Sequence, residues 1–182
     1  MEAVRSVILM WGDGVLPDPS GALDLLQRGL EHEDGLVRWK ATAMIADGAP
    51  AEDRFLPGVC AVLQEADTGA RRIATAALGR YGPRAAVALA DLRAALFSDV
   101  PPHEVLRTLA ARGPAAVAAL PDVLARAGHP DVLVRQHVLR TLGAIGAPTP
   151  EVLRTLERIE QGDDRPEVRE LAATVRVQLL DR

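Results

Sequence analysis

Residues Asp131 to Pro148 read DVLVRQHVLRTLGAIGAP, and this stretch decides the fold. Asp131 is followed four residues later by Arg135. Leu142 follows seven residues after that, and Gly146-Ala147-Pro148 closes the run. The same order stands at Asp34, Arg38, Ile45 and Gly48-Ala49-Pro50, and again at Asp67, Arg71, Leu78 and Gly82-Pro83. A period of about 33 residues is the signature of small stacked units rather than of a single globular core. Aligned on the arginine, the register runs Arg38, Arg71, Pro102, Arg135 and Arg169, which gives five units.

Each unit reads as two helices, A and B. In helix A the apolar positions recur at i, i+1, i+4, i+5 and i+8. Phe55, Leu56, Val59, Cys60 and Leu63 show this, as do Ala119, Leu120, Val123, Leu124 and Ala127. That spacing is one helical face. It makes Cys60 an inert core thiol. In helix B the apolar stripe is Val37, Ala41, Met44 and Ile45, then Ala70, Ala74, Ala77 and Leu78. In the fourth unit it is Val134, Val138, Thr141 and Leu142. Pro57 and Pro121 share one register position inside helix A, so the spacing predicts a bend there. Asp34, Asp67 and Asp131 stand where helix B begins and can cap its free N–H groups. The arginine one turn later can reach its own Asp or that of the next unit. Exposed pairs contribute little, so capping is expected to be the larger effect.

Together these residues resemble the HEAT repeat family, in particular its short bacterial form. The resemblance rests on Leu56-Pro57 and Leu120-Pro121 in helix A, and on Val37-Arg38 and Val134-Arg135 opening helix B. Leu142-Gly143-Ala144-Ile145-Gly146 closes it, and the likeness covers roughly residues 20–182. It implies an all-α, right-handed α-solenoid with a ladder of Asp–Arg pairs along the turns. It implies a scaffold or binding surface rather than a particular chemistry. The expected organisation is a single domain over residues 1–182. Residues 1–18 form an N-terminal helix (Met1–Trp11) and loop that cap the stack, and 19–182 form five repeats. The third unit departs from the pattern, with Pro101-Pro102 in place of Val-Arg, so its rung should be missing. The fifth has Arg176 where the others carry Ile or Leu, which suits a terminal repeat facing water.

Composition narrows the function classes. The formal net charge is −4 and aromatic residues make up 3%, which disfavours a general affinity for nucleic acid or anionic membranes. One cysteine excludes an intrachain disulfide framework. The apolar run Val7–Trp11 is too short to span a membrane, and the reading is a soluble cytoplasmic protein. No nucleotide-binding loop, zinc-ligand pair or nucleophile–base arrangement stands out, so neither catalysis nor a cofactor is expected. His32 and His129 read as exposed turn residues.

The candidate site is the exposed face of helix B. Positions one, five and nine after the register residue share a face. They place Arg72, Arg80, Arg107 and Arg140 on one surface, with His103 and His137 nearby and Trp39 at one end. Arg and Trp are common interface anchors. The stripe predicts a partner protein or an acidic, extended peptide. A solvated face would also carry such arginines, and Trp39 would also fit beneath the N-terminal helix. Two histidines alone are too few for zinc. The alternatives by resemblance are the HEAT-like alkylpurine DNA glycosylases and bilin lyases. The first would need a basic, aromatic-lined channel. A designed scaffold is a third class, against which the irregular third unit speaks.

Overall fold

Asp34 and Asp131 each sit in extended backbone, and each accepts a hydrogen bond from the N–H two residues on, Leu36 and Leu133 respectively. Asp67 accepts from the N–H of Ala70 at 2.7 Å. These caps set the starts of three helices. The computed structural model describes residues 19–181. The expected N-terminal helix and loop, residues 1–18, lie outside the described residues.

The described residues form two compact units, divided between Tyr81 and Gly82. In the first, α1 (Pro19–Leu30) pairs with α2 (Gly35–Asp47), and α3 (Leu56–Leu63) pairs with α4 (Thr68–Tyr81). The second holds α5 (Leu89–Ala95) with α6 (Pro102–Arg112), α7 (Leu120–Ala125) with α8 (Val132–Ile145), and α9 (Pro150–Gly162) with α10 (Pro166–Leu180). Within each unit the B helices also pack on one another: α2 on α4, α6 on α8, and α8 on α10. The fold is all-α, with no strand among the described residues.

The helix-B stripe predicted from sequence is the core. Ile45, Leu78 and Leu142 are all fully buried, and the Ala and Val positions beside them are buried too. Small residues in this stripe let the B helices approach closely, so the gain from burial accumulates across many short side chains. Gly146 takes left-handed backbone (φ 72°) and its N–H closes on the Leu142 carbonyl, which ends α8 where a side chain would be strained. Gly82 combines a positive φ with a close approach. A Cβ there would lie 3.2 Å from the Ala111 carbonyl oxygen.

Three expectations about helix A and the last repeat need correction. Pro57 and Pro121 do not bend a continuous helix. Each is the second residue of an α-helix that follows a 3-10 turn, Asp53–Phe55 and Gly113–Ala119 respectively. The missing N–H falls among those that are free at any helix start, so no hydrogen bond is lost. Cys60 is half-buried rather than a core thiol. Arg176 does not simply face water: its Nε donates to Glu160 at 2.8 Å, and both side chains are about one-third exposed (34% and 29%).

The expected Asp–Arg ladder is also different in kind. Arg38 donates to the carbonyls of His32 and Glu33 in its own turn and to the Glu65 carboxylate in the next. Arg135 repeats this grip. Its Nη1 donates to the carbonyls of His129 and Pro130, while Nε and Nη2 donate to Asp163 at 2.8 and 2.9 Å and Nη2 also reaches Asp164. The partner is therefore neither capping Asp but the carboxylate six residues before the next register residue. That residue serves twice. Glu65 offers its side chain to Arg38 and its carbonyl to Arg71, and Asp163 offers its side chain to Arg135 and its carbonyl to Arg169. His32 and His129 hold the equivalent position in their turns. Far from being passive, each accepts at Nδ1 from the backbone N–H of the capping Asp, at 3.0 and 3.1 Å.

Burial pushes the Asp163 carboxyl up. The hydrogen bond from Arg135, the Arg165 N–H and the Arg135 charge outweigh that and hold it below the ordinary carboxylate range. In the third repeat, where Pro102 replaces the arginine, the rung is filled from the other side. Arg126 donates to the Leu96 carbonyl at 2.7 Å and lies over the Phe97 ring at 4.2 Å.

Candidate functional site

In the first unit, Trp39 is half-buried near the start of α2. It lines an open hollow of about 400 Å³ with Gly35, Leu36, Glu65, Asp67 and Ala70. Arg72 and Arg80 are both exposed on α4. Arg80 reaches the Gly48 carbonyl, 3.4 Å away at the far end of α2. Trp39 and that end are nine residues apart, or about 14 Å along the helix. The fold therefore does not bring Trp39 and Arg80 into one local site.

In the second unit the predicted residues do come together. His103 and Arg107 lie one turn apart on α6, and His137 and Arg140 lie three residues apart on α8. The two imidazole rings stand 6.0 Å apart, tilted by 37°. The histidines are half-buried and the arginines exposed. Neither Arg107 nor Arg140 has an acidic partner among the described residues. Burial, followed by the charges of Arg140, His103 and Arg107, pushes the His137 imidazole below its ordinary pKa. The result is a cationic face with a neutral ring at its centre.

The spacing between α6 and α8 is fixed from below. Thr141 is fully buried on α8, and its hydroxyl lies 3.0 Å from the Leu106 carbonyl on α6 and 2.7 Å from the His137 carbonyl on its own helix. A buried hydroxyl with both acceptors in reach ties the two backbones together.

Among the described residues, no group of three or more His, Cys, Asp or Glu is placed to hold a metal ion. The two histidines sit between guanidiniums, which repel a cation. No described helix is long and apolar enough to cross a membrane.

Sequence reasoning missed Arg112. It sits ten residues after the register position, where the other repeats carry Gly48, Tyr81, Ile145 and Leu179. It is 1% exposed and its Nη1 donates to the Ala85 carbonyl, while Nε and Nη2 have no partner. Burial pushes its pKa down. The signal was a charged residue in an otherwise largely apolar register position.

Residues 90–175 match the family model described as HEAT repeats. The match falls inside the second unit, where the two histidines and Arg107 and Arg140 lie. No curated protein matches the chain in sequence. Solved structures match over nearly its whole length. A crystal structure of an engineered protein is 20% identical and has a TM-score of 0.76, covering 99% of this chain and 90% of that one. A second engineered protein is 22% identical with a TM-score of 0.72, covering 100% and 92%. A designed armadillo repeat protein in complex with the peptide (KR)4 is 14% identical with a TM-score of 0.69, covering 96% and 86%. At these identities the likeness is one of fold.

Proposed function

We propose that the chain is a non-enzymatic, cytoplasmic interaction module that binds an acidic protein segment or extended peptide along the exposed faces of its B helices. The observation that carries this reading is the group His103, Arg107, His137 and Arg140, in which two guanidiniums without an acidic partner among the described residues stand beside two imidazoles, on a protein of net charge −4. Unpaired guanidiniums on a rigid helical face are pre-organised for bidentate bonds to carboxylates. In the first unit, Arg72 and Arg80 are positive and exposed on α4. A designed armadillo repeat protein of similar fold is in complex with the peptide (KR)4, which supports peptide binding; that peptide is basic, so the charge preference proposed for the second unit is the reverse.

The test is a pull-down with native protein and with a variant carrying Arg72→Glu, Arg107→Glu and Arg140→Glu. The three positions are exposed, so the variant should fold with native circular dichroism yet lose the partner. Native binding should weaken with salt, because the Debye length shrinks from about 10 Å at 0.1 M to about 3 Å at 1 M. Recovery of the same partners with the same salt response by both proteins would end this reading.

A second reading belongs to the first unit. Trp39 lines one hollow with Asp67 and with Glu65, whose carboxylate is bound to Arg38. A ring beside carboxylates suits a cationic side chain. Quenching of tryptophan fluorescence by a short Lys/Arg peptide, absent in Trp39→Ala, would support it.

A further inference from the structure

We propose that His103, Arg107, His137 and Arg140 form a proton-linked oxyanion site that takes a phosphoryl-type dianion and holds it more tightly as pH falls. The inference rests on the reading of the α6–α8 face as the binding surface, and it names both the ligand chemistry and the regulation.

The arrangement asks for an oxyanion rather than for a general acidic surface. Arg107 and Arg140 each stand about one turn from a histidine, and the two imidazole rings are 6.0 Å apart on helices tied by the Thr141 hydroxyl. A tetrahedral dianion offers several acceptor oxygens in a small volume, and Arg forks match that geometry. A carboxylate offers two oxygens and half the charge. Among the described residues, no carboxylate is paired with Arg107 or Arg140. The charges acting on His137 are Arg140, His103 and Arg107, all on α6 or α8. The carboxylates of the elements packed around it are Glu104 on α6, Asp122 on α7, and Glu167 and Glu170 on α10. None of them is among the charges acting on the ring, and Asp122 is bound to Arg93.

The proton linkage follows from the sign of these interactions. Without a ligand, burial and the neighbouring positive groups hold the His137 imidazole below its ordinary pKa. A dianion reverses the local potential, so protonation of the ring becomes favourable in the complex. Binding is then coupled to proton uptake, and affinity rises as pH falls through the range in which the bound histidine titrates.

Sulfate is the probe for the linkage, because it stays dianionic over the whole range. Its binding would be followed by calorimetry and by the imidazole NMR signals, with ionic strength held constant by chloride. The expected result is affinity at least about threefold higher at about pH 6 than at about pH 8, with the His137 titration midpoint moving up in sulfate. The pair Arg107→Gln and Arg140→Gln should abolish binding at both pH values. The pair His103→Asn and His137→Asn should still bind at the higher pH but lose the pH dependence. Inorganic phosphate and a phosphoserine peptide, compared at about pH 8, then separate the sources. Tighter binding of the peptide assigns the site to a phosphorylated partner, and equal binding assigns it to the free ion.

Sulfate affinity independent of pH, or histidine midpoints unmoved by sulfate, would overturn the proposal. If a Glu-rich peptide binds with the expected salt response while sulfate does not, the interaction surface stands and the oxyanion site falls. If neither binds, both fall.

Discussion

Arg38 and Arg135 occupy the same register position in different turns, and each grips two carbonyls of its own turn and a carboxylate of the next. They are not equivalent. Arg38 and Glu65 are 25% and 21% exposed, whereas Arg135 and Asp163 are 10% and 6% exposed. The shorter Asp163 side chain is drawn into its turn by the Arg165 N–H and meets the guanidinium through both oxygens. Asp164 adds a third contact. The longer Glu65 meets Arg38 through Nε alone. One motif thus yields a half-exposed rung in one turn and a buried, two-pronged one in the other. The depth of the partner decides what a rung contributes.

The largest effect that would break this comparison is in the arginines. Arg135→Ala leaves the Asp163 carboxylate buried without its cation, and it should cost about 3–5 kcal/mol. Arg38→Ala should cost about 1 kcal/mol, because water can replace the lost partner. Urea melts of the two variants measure the gap. Equal losses would mean that burial of the partner does not matter.

A second effect is visible with pH. The Asp163 carboxyl is held below its ordinary range, so its stabilising contribution is complete above the unfolded value of about 4 and is lost as pH falls through the lower folded value. Asp163→Asn should therefore be less stable than native protein at neutral pH. The difference should close towards strongly acid conditions. A constant difference at every pH would remove the ionic basis of the rung.

The caps sharpen the comparison from the other side. Asp34 and Asp131 accept from Leu36 and Leu133 at the same distance, 2.9 Å. Asp34→Ala and Asp131→Ala should each cost about 1 kcal/mol, and the two losses should match. Two like caps beside two unlike rungs would show that the arginines, not the aspartates, set the turns apart. That outcome would reverse the weighting that sequence alone suggests, in which capping dominates. The smallest loss is expected at Arg112. Arg112→Met removes two unpartnered buried donors at the cost of one bond to Ala85, so thermal melting should show no loss or a gain of up to about 2 kcal/mol.

The helix pairs were legible because they depend on local periodicity. Val134, Val138, Thr141 and Leu142 lie on one side of any helix this segment forms, and that side is apolar enough to require a neighbour. The capping role of Asp34, Asp67 and Asp131 was legible for the same reason, since donor and acceptor lie within three residues. The candidate site was half legible. The nine-residue face put Arg107 with His103 on one helix and Arg140 on another with His137 nearby, but periodicity cannot bring two helices side by side. The 6.0 Å approach of the rings is set by the packing of α6 on α8 and by the Thr141 hydroxyl.

By itself, then, the sequence determined the repeat period, the identity of the core face, the starts of the B helices and the candidate residues. Each of these rests on contacts within about one or two helical turns. Tertiary structure alone decided which carboxylate each arginine meets, that Arg126 fills the rung missing at Pro102, that Cys60 is only half-buried, and that Arg112 is enclosed. These depend on residues roughly 30 positions apart in the chain. Which side chains meet across that distance, and how much water reaches them, is fixed only when one repeat is laid against the next.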